Sequence, residues 1–405
     1  MTLVRFYAVY DDGKIIFPYQ DGAGSIKVDV YDVETFDKLA EHTVGSDPIP
    51  GDQHGEPAII KYGDYYVLCY GAHSYTGQLK VAYSKNLSEW TVYDFPDSGN
   101  FAYPQFFVKD GKLYLVIRHS ASATHTLNRL YRCDDLEGKS WTLIATLVDD
   151  GDGYSPYVHL NVTEEGRVIL VWGRYRYDTD DYDTIICVAY SDDLSKWYNA
   201  DGVEQSLPLT SGNCQLHDFS PNKVSGGIPN GEGDDIVLSV HIKEPESKFI
   251  TVIRKTIGGS KTVVQSTDNG SSDGVSVHGG TVRVFCNYYD GAEWKPRIYR
   301  LEGDSLIPEL ELPYSGTRAG PAKSISGLYD SAVFSIPKDS LDSNVNDVAF
   351  VVSEEALAEV TAPTGWEWMQ TLMDLMNSLM YLVLFILVLS LLISSMREAK
   401  RPAEE

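Results

Sequence analysis

The feature that most restricts what this chain can fold into is a set of short β-type runs, each opened by Gly or Asp and rich in Val, Ile, Leu and Tyr. They are Gly63-Asp-Tyr-Tyr-Val-Leu-Cys-Tyr70, Gly111-Lys-Leu-Tyr-Leu-Val-Ile-Arg118, Gly166-Arg-Val-Ile-Leu-Val-Trp172, Asp235-Ile-Val-Leu-Ser-Val-His241 and Gly280-Thr-Val-Arg-Val-Phe-Cys286, and their starts recur roughly every 50 residues. Asp/Gly turns separate them, and no long stretch of helical periodicity occurs before residue 360. The body is therefore expected to be all-β. A second element accompanies the first: Tyr83-Ser-Lys-Asn-Leu-Ser-Glu-Trp90 recurs as Tyr190-Ser-Asp-Asp-Leu-Ser-Lys-Trp197, with a looser copy from Tyr131 through Asp135 and Leu136 to Trp141. Strand, polar turn, Trp and strand make one hairpin, in which Asp, Asn and Ser side chains are expected to hold the turn through its own backbone amides. Repeats of this size holding several strands are the signature of a single β-propeller, and the body has room for about seven blades, with six the next count.

Composition agrees with a packed body. Of 405 residues, 43% are hydrophobic and 12% aromatic, enough to bury a core. Asp and Glu outnumber Lys and Arg by 58 to 33, a formal charge of -25, so nonspecific attraction to nucleic acid or to anionic lipid is not expected. Any anionic partner must be met by a local cation. Tyr supplies 27 residues against 13 Phe, a bias suited to rings that are half exposed with a hydroxyl toward solvent or a polar ligand. Cys69, Cys133, Cys187, Cys214 and Cys286 are odd in number, far apart and without a Cys-x-x-Cys pair, so neither a disulfide framework nor a zinc cluster is signalled and buried strand thiols are expected.

The C-terminal part differs from everything before it. Residues 375–396 carry no charge and span about 33 Å as a helix, enough for a bilayer core, so one transmembrane helix is expected there. Trp366 and Trp368 precede it as interfacial aromatics, Arg397, Lys400 and Arg401 follow it, and five of the six methionines fall in this tail. The expected organisation is a propeller domain over 1–360, a linker and interfacial segment over 361–374, the anchor over 375–396 and a short charged tail over 397–405. The opening Met1–Phe6 segment has no apolar stretch of secretory length, and no cleavable signal is expected. The charge bias across the span places the C-terminus in the cytoplasm, whereas an anchor so near the end of a chain without a signal leaves the large domain in the cytosol. Assembly of a virus around an internal membrane would reconcile the two, with the domain displayed on a cell or virion surface.

At the hairpin repeats the chain resembles the BNR-repeat propellers of the sialidase-like superfamily, whose Asp-box hairpins share this Ser/Asp-to-Trp pattern. Within that group it resembles the branch of ulvan-lyase-type polysaccharide lyases. The stretches carrying the resemblance are Gly51-Asp-Gln-His-Gly-Glu-Pro57, Tyr70-Gly-Ala-His-Ser74, Phe101-Ala-Tyr-Pro-Gln-Phe106 with Arg118, and Ser155-Pro-Tyr-Val-His159 with Trp172-Gly-Arg174, covering about residues 50 to 200. The resemblance implies a seven-bladed propeller and β-elimination on a uronic-acid polysaccharide. It implies His54, His73, Tyr103 and Arg118 as catalytic positions. Gly55 departs from the pattern, which has a polar residue after the first histidine, and a C-terminal anchor is unlike a freely secreted lyase.

Such chemistry needs a base for the proton next to a carboxylate, a cation to neutralise that carboxylate, and a donor for the departing sugar oxygen. Arg118 is cast as the neutraliser, His54 or Tyr103 as the base and His73 as the donor or positioner. Tyr157, His159 and Arg174 are cast as substrate-binding residues. A tyrosine base must titrate below its usual value near 10, which a nearby arginine favours. No cofactor is required, although Asp178-Thr-Asp-Asp-Tyr-Asp183 could gather oxygens around a structural calcium. Two rival chemistries are open to the same sequence: a five-bladed glycosidase would draw on Asp52, Glu56 and Asp218, and a sialidase would add Arg254, Arg283 or Arg318 to Arg118 and Arg174. The expected function is a membrane-anchored propeller that recognises a surface glycan, an acidic polysaccharide, with cleavage by β-elimination open as a further activity. The alternatives are a non-catalytic attachment protein of a membrane-containing virus, bound to a glycan or glycosylated receptor, and a protein-interaction platform; assembly into an oligomer fits any of them.

Overall fold

The computed structural model describes residues 8–21, 23–47, 55–71, 78–242, 249–292, 294–311, 323–326, 328–337 and 345–352. The chain divides into two units at Leu357/Ala358, and the first is described below. Its described residues are all-β apart from one helical turn, and they form consecutive antiparallel meanders. The first meander is β1 (Ala8–Asp11), β2 (Lys14–Gln20), β3 (Ser25–Asp32) and β4 (Lys38–Ser46); the second is β5 (Ala58–Tyr62), β6 (Tyr65–Tyr70), β7 (Lys80–Ser84) and β8 (Thr91–Asp94). The third is β9 (Asn100–Lys109), β10 (Lys112–Ser120), β11 (Thr126–Asp135) and β12 (Ser140–Val148). The fourth comprises β13 (Tyr154–Val162), β14 (Val168–Arg176), β15 (Asp181–Tyr182), β16 (Ile185–Ser191), β17 (Trp197–Asn199) and β18 (Glu204–Gln205), followed by α1 (Ser211–Cys214) and β19 (Gln215–Asp218). Beyond it run β20 (Val224–Glu232), β21 (Asp235–Ile242), β22 (Phe249–Thr256), β23 (Lys261–His278), β24 (Thr281–Tyr289), β25 (Trp294–Glu302) and β26 (Ser305–Glu311). The last strands are β27 (Lys323–Ser326), β28 (Leu328–Pro337) and β29 (Val345–Val352).

Local chemistry sets these elements. Asp12-Gly13, Asp110-Gly111 and Gly279-Gly280 take positive φ at both residues, the type I′ geometry whose twist matches the flanking strands. The repeated hairpin turn has one construction in two meanders. Asn86 Oδ1 accepts the amides of Ser88 and Glu89 at 3.1 and 3.0 Å, and Asp193 Oδ1 accepts those of Ser195 and Lys196 at 2.8 and 2.9 Å. Leu87 and Leu194, which occupy the same place in the two copies, both sit at left-handed φ near 64–65°. In the looser copy Asp135 Oδ1 accepts the Gly138 amide at 2.8 Å. Each tryptophan then returns over its hairpin: Trp90 Nε1 donates to the Leu87 carbonyl at 2.6 Å, and Trp197 is fully buried.

Packing occurs between meanders, face to face. Val9, Ile16 and Val28 meet Ile59, Tyr66 and Leu68; Val67 and Val81 meet Phe101, Leu113 and Leu115. Val116 and Leu130 meet Val158, Leu170 and Trp172, and Ile169, Val171 and Val188 meet Ile236, Leu238 and Val240. Each fully buried aliphatic side chain contributes about 1.5–3 kcal/mol relative to exposure, so these seams are the main cohesion. Side-chain amides add direct links where neighbouring meanders share no backbone ladder. Gln105 donates to the Val158 carbonyl at 2.8 Å and accepts from the Leu160 amide at 3.0 Å, Asn128 donates to the Pro156 carbonyl at 3.0 Å, and Asn230 donates to the Val275 carbonyl at 3.2 Å.

The arrangement is propeller-like. The opening strands touch in chain order, β1 with β5, β5 with β9, β9 with β13, β13 with β20 and β20 with β23. β1 also pairs in parallel with β27, joining the first and last described strands in one sheet. Two features differ from a set of separate blades. β20 to β26 form one seven-stranded sheet, because the long β23 pairs with β22 through Asn269 and with β24 from Gly270 onward. Among the described residues no sheet closes on itself by hydrogen bonding. All five cysteines are buried and unbridged, but Cys214 sits in α1 rather than in a strand. Among the described residues no helix is long and apolar enough to cross a membrane; the 375–396 span lies outside them.

Candidate functional site

Three of the expected site residues meet at the seam between the third and fourth meanders. The site begins with a bulge in β9: the register against β10 slips between Val116 and Arg118, opposite the Ala102–Gln105 stretch. Tyr103 absorbs the slip at φ +57°, a conformation that costs a non-glycine residue of order 1–3 kcal/mol and that precedes a proline besides. The bulge re-aims the phenol, which is 3% exposed, at Arg118.

Arg118 is 5% exposed, with its guanidinium carbon 4.5 Å from the Tyr103 ring centroid and 5.1 Å from that of Tyr157 on β13. Its Nη1 donates a long 3.5 Å hydrogen bond to Ser155 Oγ, which also accepts from Thr126 Oγ1 at 2.6 Å, and its Nε has no partner. Among the described residues no carboxylate lies within ion-pair distance of it. Burial disfavours its charge, yet the Tyr157 and Tyr103 phenols outweigh that effect and its pKa lies above the ordinary arginine value. A buried guanidinium held by phenol faces, a side-chain hydrogen bond to Tyr157 and a long one to Ser155 is a cation that a bound anion would stabilise.

The phenols continue outward. The Tyr157 ring is 5.6 Å from that of Tyr103 and 5.5 Å from that of Tyr182, and Tyr175 lies 5.4 Å from both Tyr182 and Tyr177. Burial, and then its contact with Tyr157, push the Tyr182 hydroxyl well above the usual phenol range. Sequence reading missed Tyr182, because it lies in the acidic segment considered for calcium and reaches the site only when β15 folds back onto Tyr175 of β14.

The other expected residues are placed differently. Arg174 is paired within the chain: its Nε donates to Asp183 Oδ2 at 2.6 Å and its guanidinium stacks 4.4 Å over Tyr154. His159, two residues beyond Tyr157, is 2% exposed and packs toward Gly226 of β20, where an added Cβ would lie 3.5 Å from its ring. His54 and His73 lie outside the described residues. Their flanks are joined, since the Gly71 amide donates to the Gly55 carbonyl at 2.9 Å. A Cβ on Gly55 would come within 3.1 Å of the Gly71 backbone and of Asp47 Oδ2, which accounts for glycine where a polar residue was expected. Also missed was His119, next to Arg118 in β10; its ring is 5.3 Å from Phe101, and burial followed by the Arg129 charge pulls its pKa down to about 4.

Among the described residues the rival sets are engaged elsewhere in part: Arg254 pairs with Asp235 and Arg283 with Glu309, Asp218 is held in a turn by Thr184 and Ser220, and Glu56 is buried; Asp52 and Arg318 lie outside the described residues. In the acidic segment Asp178 pairs with Arg176, Asp180 accepts from Tyr175 and Asp183 holds Arg174. Among the described residues no group of three or more His, Cys, Asp or Glu side chains is placed to hold a metal ion.

No protein-family model and no curated protein matches the chain. Solved structures do. The chain is similar to the crystal structure of the polysaccharide lyase Uly1, with a TM-score of 0.62 at 13% identity over 85% of this chain and 88% of that one. It is also similar to a puromycin-hydrolyzing peptidase of Mycobacterium tuberculosis, with a TM-score of 0.52 at 11% identity over 87% of this chain and 51% of that one. At such identities the likeness establishes the fold.

Proposed function

We propose that the chain is a glycan-recognising propeller that binds a uronic-acid polysaccharide through Arg118 and cleaves it by β-elimination. The observation that carries this reading is the buried Arg118 guanidinium, set between the Tyr103 and Tyr157 rings with no carboxylate of the described chain beside it. A carboxylate is the planar anion a guanidinium binds best, through paired hydrogen bonds that strengthen as charge builds on the ligand. The fold shared with a polysaccharide lyase supports the assignment. We further propose that the meanders close into a ring of seven blades, a reading supported by the β1–β27 pairing together with the order of contacts among the opening strands.

In the reaction the carboxylate neutralised by Arg118 acidifies the C5 hydrogen of the uronate. Tyr103 as phenolate, or His54, takes that proton; the electron pair forms the C4–C5 double bond, the C4–O bond breaks and His73 protonates the leaving oxygen. The Arg118 cation beside the Tyr103 ring supports the phenolate, while burial of the ring opposes it. We further propose that residues 375–396 tether the propeller to a membrane, on the strength of their length and apolar composition. The test is incubation of the purified chain with uronic-acid polymers, followed by the ultraviolet absorbance of the unsaturated product. A rise lost in Tyr103→Phe supports the lyase reading. Binding of the polymers without product from any of them instead supports a non-catalytic attachment protein.

A further inference from the structure

We infer that Tyr182 is a positioning residue of the Arg118 site: its hydroxyl meets that of Tyr157 and fixes the phenol against which the guanidinium is held. The inference rests on the reading of Arg118 as the carboxylate binder and adds to that site a residue that acts through Tyr157 rather than on the substrate. The strand register places it. In the β13–β14 ladder Ser155 lies opposite Tyr175 and Tyr157 opposite Gly173, so Ser155, Tyr157 and Tyr175 share one face of the sheet, the face that meets Arg118. β15 pairs Tyr182 with Tyr175 and so adds its ring to that face. Two backbone hydrogen bonds secure the return of the chain: the Asp183 amide donates to the Arg174 carbonyl and the Val224 amide to the Asp183 carbonyl, both at 2.8 Å.

Tyr157 needs such a support. Its cross-strand partner Gly173 has no side chain to pack against it, and the rings that bear on it are Tyr103 at 5.6 Å and Tyr182 at 5.5 Å. Of these two, Tyr182 shares the β13–β14 sheet with it and is buried, so its hydroxyl is directed by packing rather than by solvent. The contacts run in series. Arg118 donates to the Tyr157 phenol oxygen, and the Tyr157 and Tyr182 hydroxyls are hydrogen-bonded to each other. Paired hydrogen bonds from a guanidinium to a carboxylate demand a fixed guanidinium plane, so freedom gained by Tyr157 is felt as lost preference for a charged ligand.

The test is the ratio of two affinities, measured by titration calorimetry on the full-length chain in detergent: that for a uronic-acid oligosaccharide over that for its carboxyl-reduced counterpart. Tyr182→Phe, which removes one oxygen and keeps the ring, should lower the ratio about fivefold, the scale of one lost hydrogen bond, while affinity for the reduced form and the urea midpoint stay at wild-type values. Tyr175→Phe is the control, because the Tyr175 hydroxyl donates to Asp180 instead of into the site, and it should keep the wild-type ratio. Tyr157→Phe should lower the ratio at least as far as Tyr182→Phe. The double variant should lose no more than Tyr157→Phe alone, since the outer hydroxyl acts only through the inner one. A folded Tyr182→Phe variant with the wild-type ratio, or a double variant in which the two losses multiply, overturns the inference and leaves the Arg118 reading standing. A wild type that binds both oligosaccharides equally overturns the carboxylate reading of Arg118 and this inference together.

Discussion

Arg118→Met separates function from stability in a way that only a ligand-binding arginine should. In the folded chain the guanidinium is almost wholly removed from water, and what it receives in return is modest: two phenol faces at 4.5 and 5.1 Å, a side-chain hydrogen bond to Tyr157 and a 3.5 Å hydrogen bond to Ser155. Desolvating an ion costs several kcal/mol even after relaxation, while a cation–π contact returns about 0.5–2 kcal/mol and a weak hydrogen bond about 0.5–1.5 kcal/mol. Methionine keeps much of the length and packs between the same rings without the charge. The variant should therefore be as stable as the wild type or more stable by about 1–3 kcal/mol, in line with other buried charges replaced by apolar residues. Its cleavage of uronate polymers should fall about 100-fold or more, the scale for removing one charge-stabilising group. Urea unfolding followed by circular dichroism reads the first quantity and product absorbance the second. A Met variant destabilised by more than about 2 kcal/mol would show that Arg118 is a structural strut, and the reasoning would fail.

Other outcomes follow from the same geometry. If Tyr103 rather than His54 is the base, Tyr103→Phe should leave oligosaccharide affinity within about threefold while abolishing product, since it removes the proton acceptor and keeps the ring against Arg118; calorimetry beside the product assay checks this, and retained product assigns the proton to His54. His119 is held neutral with a folded pKa of about 4, below its unfolded value of 6.5, so the unfolded state binds its proton first as pH falls. It should cost the fold about 1–2 kcal/mol between pH 6.5 and 4, allowing for screening at a half-buried ring, and His119→Gln should flatten that slope in urea titrations; an unchanged slope would refute the assignment. Gly173→Ala would drive a Cβ to 2.7 Å from the Val224 carbonyl and 2.9 Å from the Gly226 amide, so unfolding measurements should show a loss of about 1–3 kcal/mol as the β14–β20 seam opens.

What the sequence made legible was what local chemistry decides. The Tyr83–Trp90 and Tyr190–Trp197 hairpins could be read because the turn, its capping carboxamide or carboxylate and its tryptophan lie within eight residues. The Tyr103, Arg118 and Tyr157 set was reached through resemblance, and the geometry that joins it, a bulge at Tyr103 and a seam between two meanders, leaves no local mark except the Tyr-Pro dipeptide. The pairing of Arg174 with Asp183 was not legible, because that carboxylate is one of several acidic residues in a polar loop. Only the return of β15 onto β14 makes that carboxylate its counterion and brings Tyr182 against Tyr157. The single long strand serving two meanders, Lys261–His278, escaped for a related reason: its Asp-Asn-Gly-Ser-Ser interior reads as a turn, and pairing on both sides keeps it extended.

The most direct measurement compares, by titration calorimetry, a uronic-acid oligosaccharide with the same molecule after reduction of its carboxyl groups to alcohols. If Arg118 awaits a carboxylate, the reduced form should bind about 100-fold more weakly to the wild type, and Arg118→Met should no longer distinguish the two. Equal affinity of the wild type for both molecules would contradict the assignment of Arg118.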